Sequence, residues 1–230
     1  MSKNEARRQK QLAKKKAKRT DKRTQIARQT SDNPLIRLAA AESWPIVNTL
    51  VPESLWSSGI GQLLLTRRLP DGRLAVANFL VDVFCLGVKN AYWNIISEWE
   101  FDKLKRKLEG LGPLHPATPE QFAKLIYDAV EYAQALSLAP HPEYKHAKLL
   151  LAGIDASRCT DVFTFGKDGK PLFINGPHDS PEKIKIILHK IRSAGGDFML
   201  VDGDPTDFAD DADEDFGDEE VTQKLEHDQT

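Results

Sequence analysis

The 230 residues carry a formal net charge of −2 and are 40% hydrophobic, so the chain is long enough for a sizeable core but has no apolar run of the 18–20 residues a membrane span needs. The N-terminus has charge without an apolar h-region and is rich in Lys rather than Arg and Ser, so neither a secretory signal nor a transit peptide is expected. Two cysteines, Cys85 and Cys159, do not make a disulfide framework and read as thiols in a reducing, cytoplasmic compartment.

The near-neutral total hides a partition. Residues 1–30 hold about 12 Lys/Arg against 2 acids, residues 202–230 hold about 13 acids against one Lys, and the middle balances to about zero. Neither end has the apolar residues to offset roughly 1–2 kcal/mol of backbone entropy per ordered residue. The expected organisation is therefore a basic disordered arm (1–33), an α+β globular domain (34–201) and an acidic disordered tail (202–230).

In chain order, Asn33-Pro34 ends the arm, and Leu35, Ile36, Leu38 and Ala39 predict a short amphipathic helix. Trp44 to Val51 begin the core, and Pro52 to Trp56 read as a helical turn ending near Gly59. Ile60–Leu69 and Arg73–Phe84 are apolar runs joined by Pro70-Asp71-Gly72, a hairpin signal in which Pro presets φ and Gly supplies positive φ. Ala91–Leu108 reads as helix after Gly87. Thr118-Pro119-Glu120-Gln121 predicts a capped helix start with Gln121 completing a capping box, followed by Phe122, Leu125, Ile126, Ala129, Ala133 and Leu136 at helical spacing.

Pro142–Leu151 reads as a further short helix. Val162–Phe165 and Pro171–Ile174, flanking Gly166-Lys167-Asp168-Gly169-Lys170, predict a second hairpin. Ser180-Pro181 starts a helix with Ile184, Ile187, Leu188 and Ile191 inward, Gly195-Gly196 ends it, and Phe198–Val201 reads as a last strand. Strands do not alternate strictly with helices, so the expectation is α+β: two β-hairpins with packed helices in one domain.

Two stretches, Leu80-Val81-Asp82-Val83-Phe84-Cys85-Leu86-Gly87-Val88-Lys89-Asn90-Ala91 and Phe163-Thr164-Phe165-Gly166-Lys167-Asp168-Gly169-Lys170-Pro171-Leu172-Phe173-Ile174-Asn175-Gly176-Pro177, resemble signatures of an uncharacterised bacterial protein family whose members have Lys/Arg-rich N-termini. The resemblance covers most of the middle domain. It implies a bacterial cytosolic setting and transfers no catalytic residue.

The candidate nucleic-acid-binding residues are the cation string Arg7, Arg8, Lys10, Lys14, Lys15, Lys16, Lys18, Arg19, Lys22 and Arg23, which would gain affinity for phosphate backbones by counterion release. It holds no aromatics to stack bases and no groove-reading motif, so little base specificity is expected from it. The acidic tail, Asp210–Asp215 with Asp218–Glu220, is expected to aid solubility, to screen the arm or to recruit a basic protein.

Asp82, Cys85 and Lys89 are the candidates for catalysis. Asn78 and Asp82 are expected on one strand face with Val76, Leu80, Phe84 and Leu86, with Cys85 on the other. The structural alternative makes Asp82 a hydrogen-bonded anchor for a loop or helix start and Cys85 inert packing. At Asn175 to Ser180 an anion could meet exposed helix amides with His178 and Lys183 adding charge; alternatively Ser180 or Asp179 caps the helix. The four tryptophans read as core or core-edge, with Trp93 and Trp99 near two turns apart on one buried face.

Metal and cofactor signals are missing: His141 and His146 lie about 140° apart on a helix, no paired Cys-x-x-Cys occurs, and Gly59-Ile60-Gly61 lacks the rest of a dinucleotide fingerprint. The leading expectation is a cytosolic binder of RNA, DNA or a ribonucleoprotein. An enzyme using Cys85, or Asp82 with Lys89, and a protein–protein adaptor are the alternatives.

Overall fold

The computed structural model describes residues 38–176 and 179–199. The arm and tail, and with them all ten candidate cations, lie outside the described residues, as do Leu35, Ile36 and His178.

Five strands, β1 (Ile46–Pro52), β2 (Ile60–Arg68), β3 (Leu74–Asp82), β4 (Gly87–Ile96) and β5 (Leu114–Pro116), form an antiparallel sheet in the order β4-β3-β2-β1-β5. The expected first hairpin is β2 and β3, and Gly72 at its turn has φ +87°. An interior place between β4 and β2 explains why β3 is apolar on both faces, Asn78 and Asp82 apart. Ala75, Ala77, Phe79 and Val81 pack on one side, and Leu74 and Val76 pack on the other.

Helix α3 (Pro119–Ala135) covers the first side with Phe122, Ala123, Ile126 and Ala129, and the Phe79 and Phe122 rings meet edge to face at 6.3 Å. Helix α2 (Glu98–Glu109) covers part of the second with Phe101 and Leu108. Short helices α1 (Leu55–Ser58) and α4 (Tyr144–Ala147) complete the body. A satellite unit holds α5 (Pro181–Ser193) and the parallel pair β6 (Leu172–Ile174) and β7 (Asp197–Met199), around Cys85, Leu86, Phe173, Ile187 and Ile191. The architecture is α+β, one domain, as the element order predicts.

Four expectations are corrected. Residues 91–96 are strand: Ala91 to Ile96 pair with β3, and the helix starts only after Ser97. Ser97 and Glu100 form a full capping box there, with the Ser97 N–H donating to Glu100 Oε2 at 2.7 Å. Trp93 therefore half-buries against the main core while Trp99, on α2, is 68% exposed, and the two share no buried face.

The second hairpin contracts to one bridge, Lys167↔Lys170, around Asp168 (φ +52°) and Gly169 (φ +79°), the two positive values of a type I′ turn. Residues 162–165 are not strand because the neighbouring N–H groups go elsewhere: Gly166 donates to Val83 O at 2.9 Å and Leu172 to Phe84 O at 3.1 Å. Strand β6 pairs instead with β7. Strand β3 ends at Asp82, so Phe84 and Leu86 belong to a turn, not to the face of Asn78. At α3, Thr118 caps as expected, but Gln121 sends its side chain to Asp161 at 2.7 Å rather than back to the cap.

One buried charge went unremarked in the sequence. Arg67, 3% exposed, donates to the carbonyls of Ala41 (2.9 Å), Trp44 (2.7 Å) and Leu150 (2.7 Å) and also reaches Ala152 O. It ties the segment before β1 to the turn after α4. Burial lowers its pKa, against the pull of Glu42.

Candidate binding cleft

The candidate catalytic residues meet around the turn 83–86. The Phe84 and Cys85 N–H groups each donate to Asp82 Oδ1 at 2.9 Å, so the carboxylate anchors the turn from within. Burial raises the Asp82 pKa to about 6, against those hydrogen bonds and the charge of Lys89. Cys85 is 0% exposed, and burial, with Asp82 beside it, pushes its thiol up to about 12, the reverse of an activated nucleophile.

Lys89 is the extra residue where the β3–β4 register slips, Leu80 pairing with Asn90 and Val81 with Val88. Its Nζ lies 3.3 Å from Asp179 Oδ2. Asp179 also accepts from Gly176 N–H (2.8 Å) and Lys183 Nζ (2.7 Å). Burial raises the Asp179 pKa, but these donors and charges outweigh it and the carboxyl sits below its ordinary value. Lys183 is thus spent on Asp179, and Ser180 caps α5 by accepting from Lys183 N–H at 3.3 Å. Asn78, 2% exposed, donates to Gln62 Oε1 (2.7 Å) and Tyr92 OH (3.0 Å).

The open surface lies on the other side of that turn. Leu55 is buried and pins α1, which leaves the adjacent Trp56 39% exposed; Gly59 (φ +80°) closes the helix, and its carbonyl accepts from Val83 N–H. A Cβ at Gly59 would lie 2.1 Å from Phe84 Cδ2, so glycine is what lets the Phe84 ring lie here.

Trp56 stacks on Phe163 (centroids 5.8 Å, 16° between planes) and meets Phe165 at 5.7 Å and 64°. Phe165 in turn stacks on Tyr132 at 5.2 Å and 20°, and Tyr132 OH donates to Phe84 O. Lys124 Nζ is 5.8 Å from the Phe163 ring and Lys167 Nζ is 5.5 Å from the Phe84 ring.

Two clefts flank this array. The larger, about 400 Å³, is lined by Trp56, Phe84, residues 162–164, Gly166, Lys167 and Asp168. The smaller, about 250 Å³, shares Trp56 and Phe163 and extends to Glu53, His115 and Gln121. None of Asp82, Cys85 or Lys89 lines either cleft. Asp82 still acts on the larger one indirectly, because the turn it anchors carries Phe84.

Sequence reasoning missed the cleft. Phe163 and Phe165 read as strand residues and Trp56 as core-edge; the mixture of rings and lysines in residues 163–170, read there as a hairpin, is the signal that could have pointed to a surface. Among the described residues no group of three or more His, Cys, Asp or Glu is placed to hold a metal ion, and no helix is long and apolar enough to cross a membrane. No protein-family model matches the chain, and no curated protein or solved structure matches it either.

Proposed function

We propose that this protein binds nucleic acid or a ribonucleoprotein, with its N-terminal cations on the phosphate backbone and its folded domain supplying the selective contact. The observation that carries this is the charge partition: about +10 within residues 1–30 and about −12 within residues 202–230, at opposite ends of a domain that sums to about zero, so the cations are segregated from the acids in the chain. A compact cation string of that kind releases counterions on meeting a polyanion. The cleft offers such a ligand an exposed ring, Trp56, and one ammonium group, Lys167, on a wall that also carries Asp168. The enzyme alternative has less support: Cys85 is sealed, the Asp82 carboxylate is occupied by backbone N–H groups, and Lys89 is paired.

The test is binding of the full chain to RNA and DNA across a salt series. If about five phosphates are contacted on a single strand, log K falls against log[salt] with a slope of roughly −3.5. Deleting residues 1–33 should remove most of that slope. Binding that is absent at low salt, or that is unchanged by the deletion, refutes the proposal.

A further inference from the structure

We infer that the cleft beside Trp56 seats an unpaired nucleobase of a single-stranded nucleic acid, stacked on the Trp56–Phe163 array, with Lys167 beside its phosphate. This rests on the nucleic-acid reading above and names what the folded domain would select.

The walls have the required chemistry. Base stacking needs a flat apolar ring accessible from solvent, and Trp56 is 39% exposed while lining both clefts. The ring is held rather than loose: Phe163 stacks on one side at a 16° angle and Phe165 abuts it edge-on, so little side-chain freedom is lost when a base arrives. The volume, about 400 Å³, falls in the lower part of the range that takes a small ligand, the scale of one nucleotide.

The cleft wall carries both signs: Lys167 lies over Phe84 and Asp168 lines the cleft beside it. Lys167 is the group that can meet a phosphate flanking the base, and the N-terminal cations, not the net charge of the wall, favour a nucleic acid over an apolar peptide. A duplex keeps its bases stacked on one another and offers no free ring face, so the cleft discriminates single from double strands.

The experiment uses the full chain with a single-stranded RNA 12-mer carrying 5-iodouridine, and with its duplex, at near-physiological salt. Three results are expected. Photocrosslinks map to Trp56 or to the peptide containing Phe163. The single strand binds at least ten-fold more tightly than the duplex. Trp56→Leu weakens single-strand binding about ten-fold while leaving duplex binding unchanged, and Lys167→Gln, an exposed change that cannot unfold the core, weakens it about three-fold. Thermal melts of both variants report folding independently.

Crosslinks confined to residues 1–33, equal affinity for both forms, or unaltered binding by folded Trp56→Leu and Lys167→Gln proteins would overturn this inference and leave the arm-based reading standing. Failure of the intact chain to bind any nucleic acid at low salt removes both. A Trp56-dependent peptide ligand with no Trp56 effect on RNA would reassign the cleft to a protein partner.

Discussion

Asp82 makes stability depend on pH in a direction opposite to most aspartates. Its folded-state pKa of about 6 lies above the ordinary 3.8, because burial disfavours the carboxylate more than the Cys85 and Phe84 N–H groups and Lys89 favour it. The folded form therefore holds the proton more tightly than the unfolded form. The stability this provides is complete below pH 3.8 and is lost as pH rises through 6. A gap of about two pH units corresponds to ~3 kcal/mol in full, of which ~2 kcal/mol falls between pH 4.5 and 7.5.

Asp82→Asn retains a carbonyl oxygen for both N–H donors and never ionises. Tyr132 and Cys85, which Asp82 helps to raise, both sit near 12 and stay protonated from pH 4.5 to 7.5, so they add nothing to the comparison. Urea denaturation of the two chains at pH 4.5 and 7.5 should show the variant gaining ~2 kcal/mol on the native protein as pH rises. If the difference between them stays constant, or if the native chain gains, then the carboxylate is stabilised in its turn and the argument from burial is wrong.

Arg67→Leu should cost ~4 kcal/mol in the same assay, since it strips the donors from the Ala41, Trp44, Leu150 and Ala152 carbonyls. Arg67→Lys should recover only part of that loss, and a cost below ~1 kcal/mol for the leucine variant contradicts the clasp. Gly87→Ala and Gly72→Ala both place alanine at positive φ, but only at position 87 would the new Cβ meet helix backbone, 2.4 Å from Ala129 O. Gly72→Ala should cost ~1 kcal/mol and Gly87→Ala ~3 kcal/mol; equal costs in denaturation would show that strand and helix yield freely. An aromatic disulfide reagent near pH 8 should titrate one thiol, Cys159, in the folded protein and both in denaturant, because Cys85 is sealed and its thiol sits near 12. Two thiols reacting at similar rates in the folded state would reopen Cys85 as a nucleophile.

Local chemistry was legible wherever one or two residues settle a conformation. Pro70-Asp71-Gly72, Asp168-Gly169, Thr118-Pro119 and Ser180-Pro181 each specify φ or a cap, and each holds its predicted turn or helix start. The apolar stripe after Thr118 needs only the 3.6 period to declare its buried face. What failed needed a partner. Ala91 to Ile96 are strand because β3 is there to hydrogen-bond them, and a short apolar stretch has no periodicity that could say so. Residues 162–165 have strand composition, yet Val83 and Phe84 claim the donors at Gly166 and Leu172.

The cleft belongs to the same class. Trp56 and Phe163 are 107 positions apart in the chain, and no spacing rule joins them. The charge partition of the ends and the caps at Thr118 and Ser180 are properties of contiguous residues, so the sequence alone determines them. The stacked rings, the Arg67 clasp and the burial that raises Asp82 arise only when distant segments meet, because burial and hydrogen-bond competition are settled by neighbours in space.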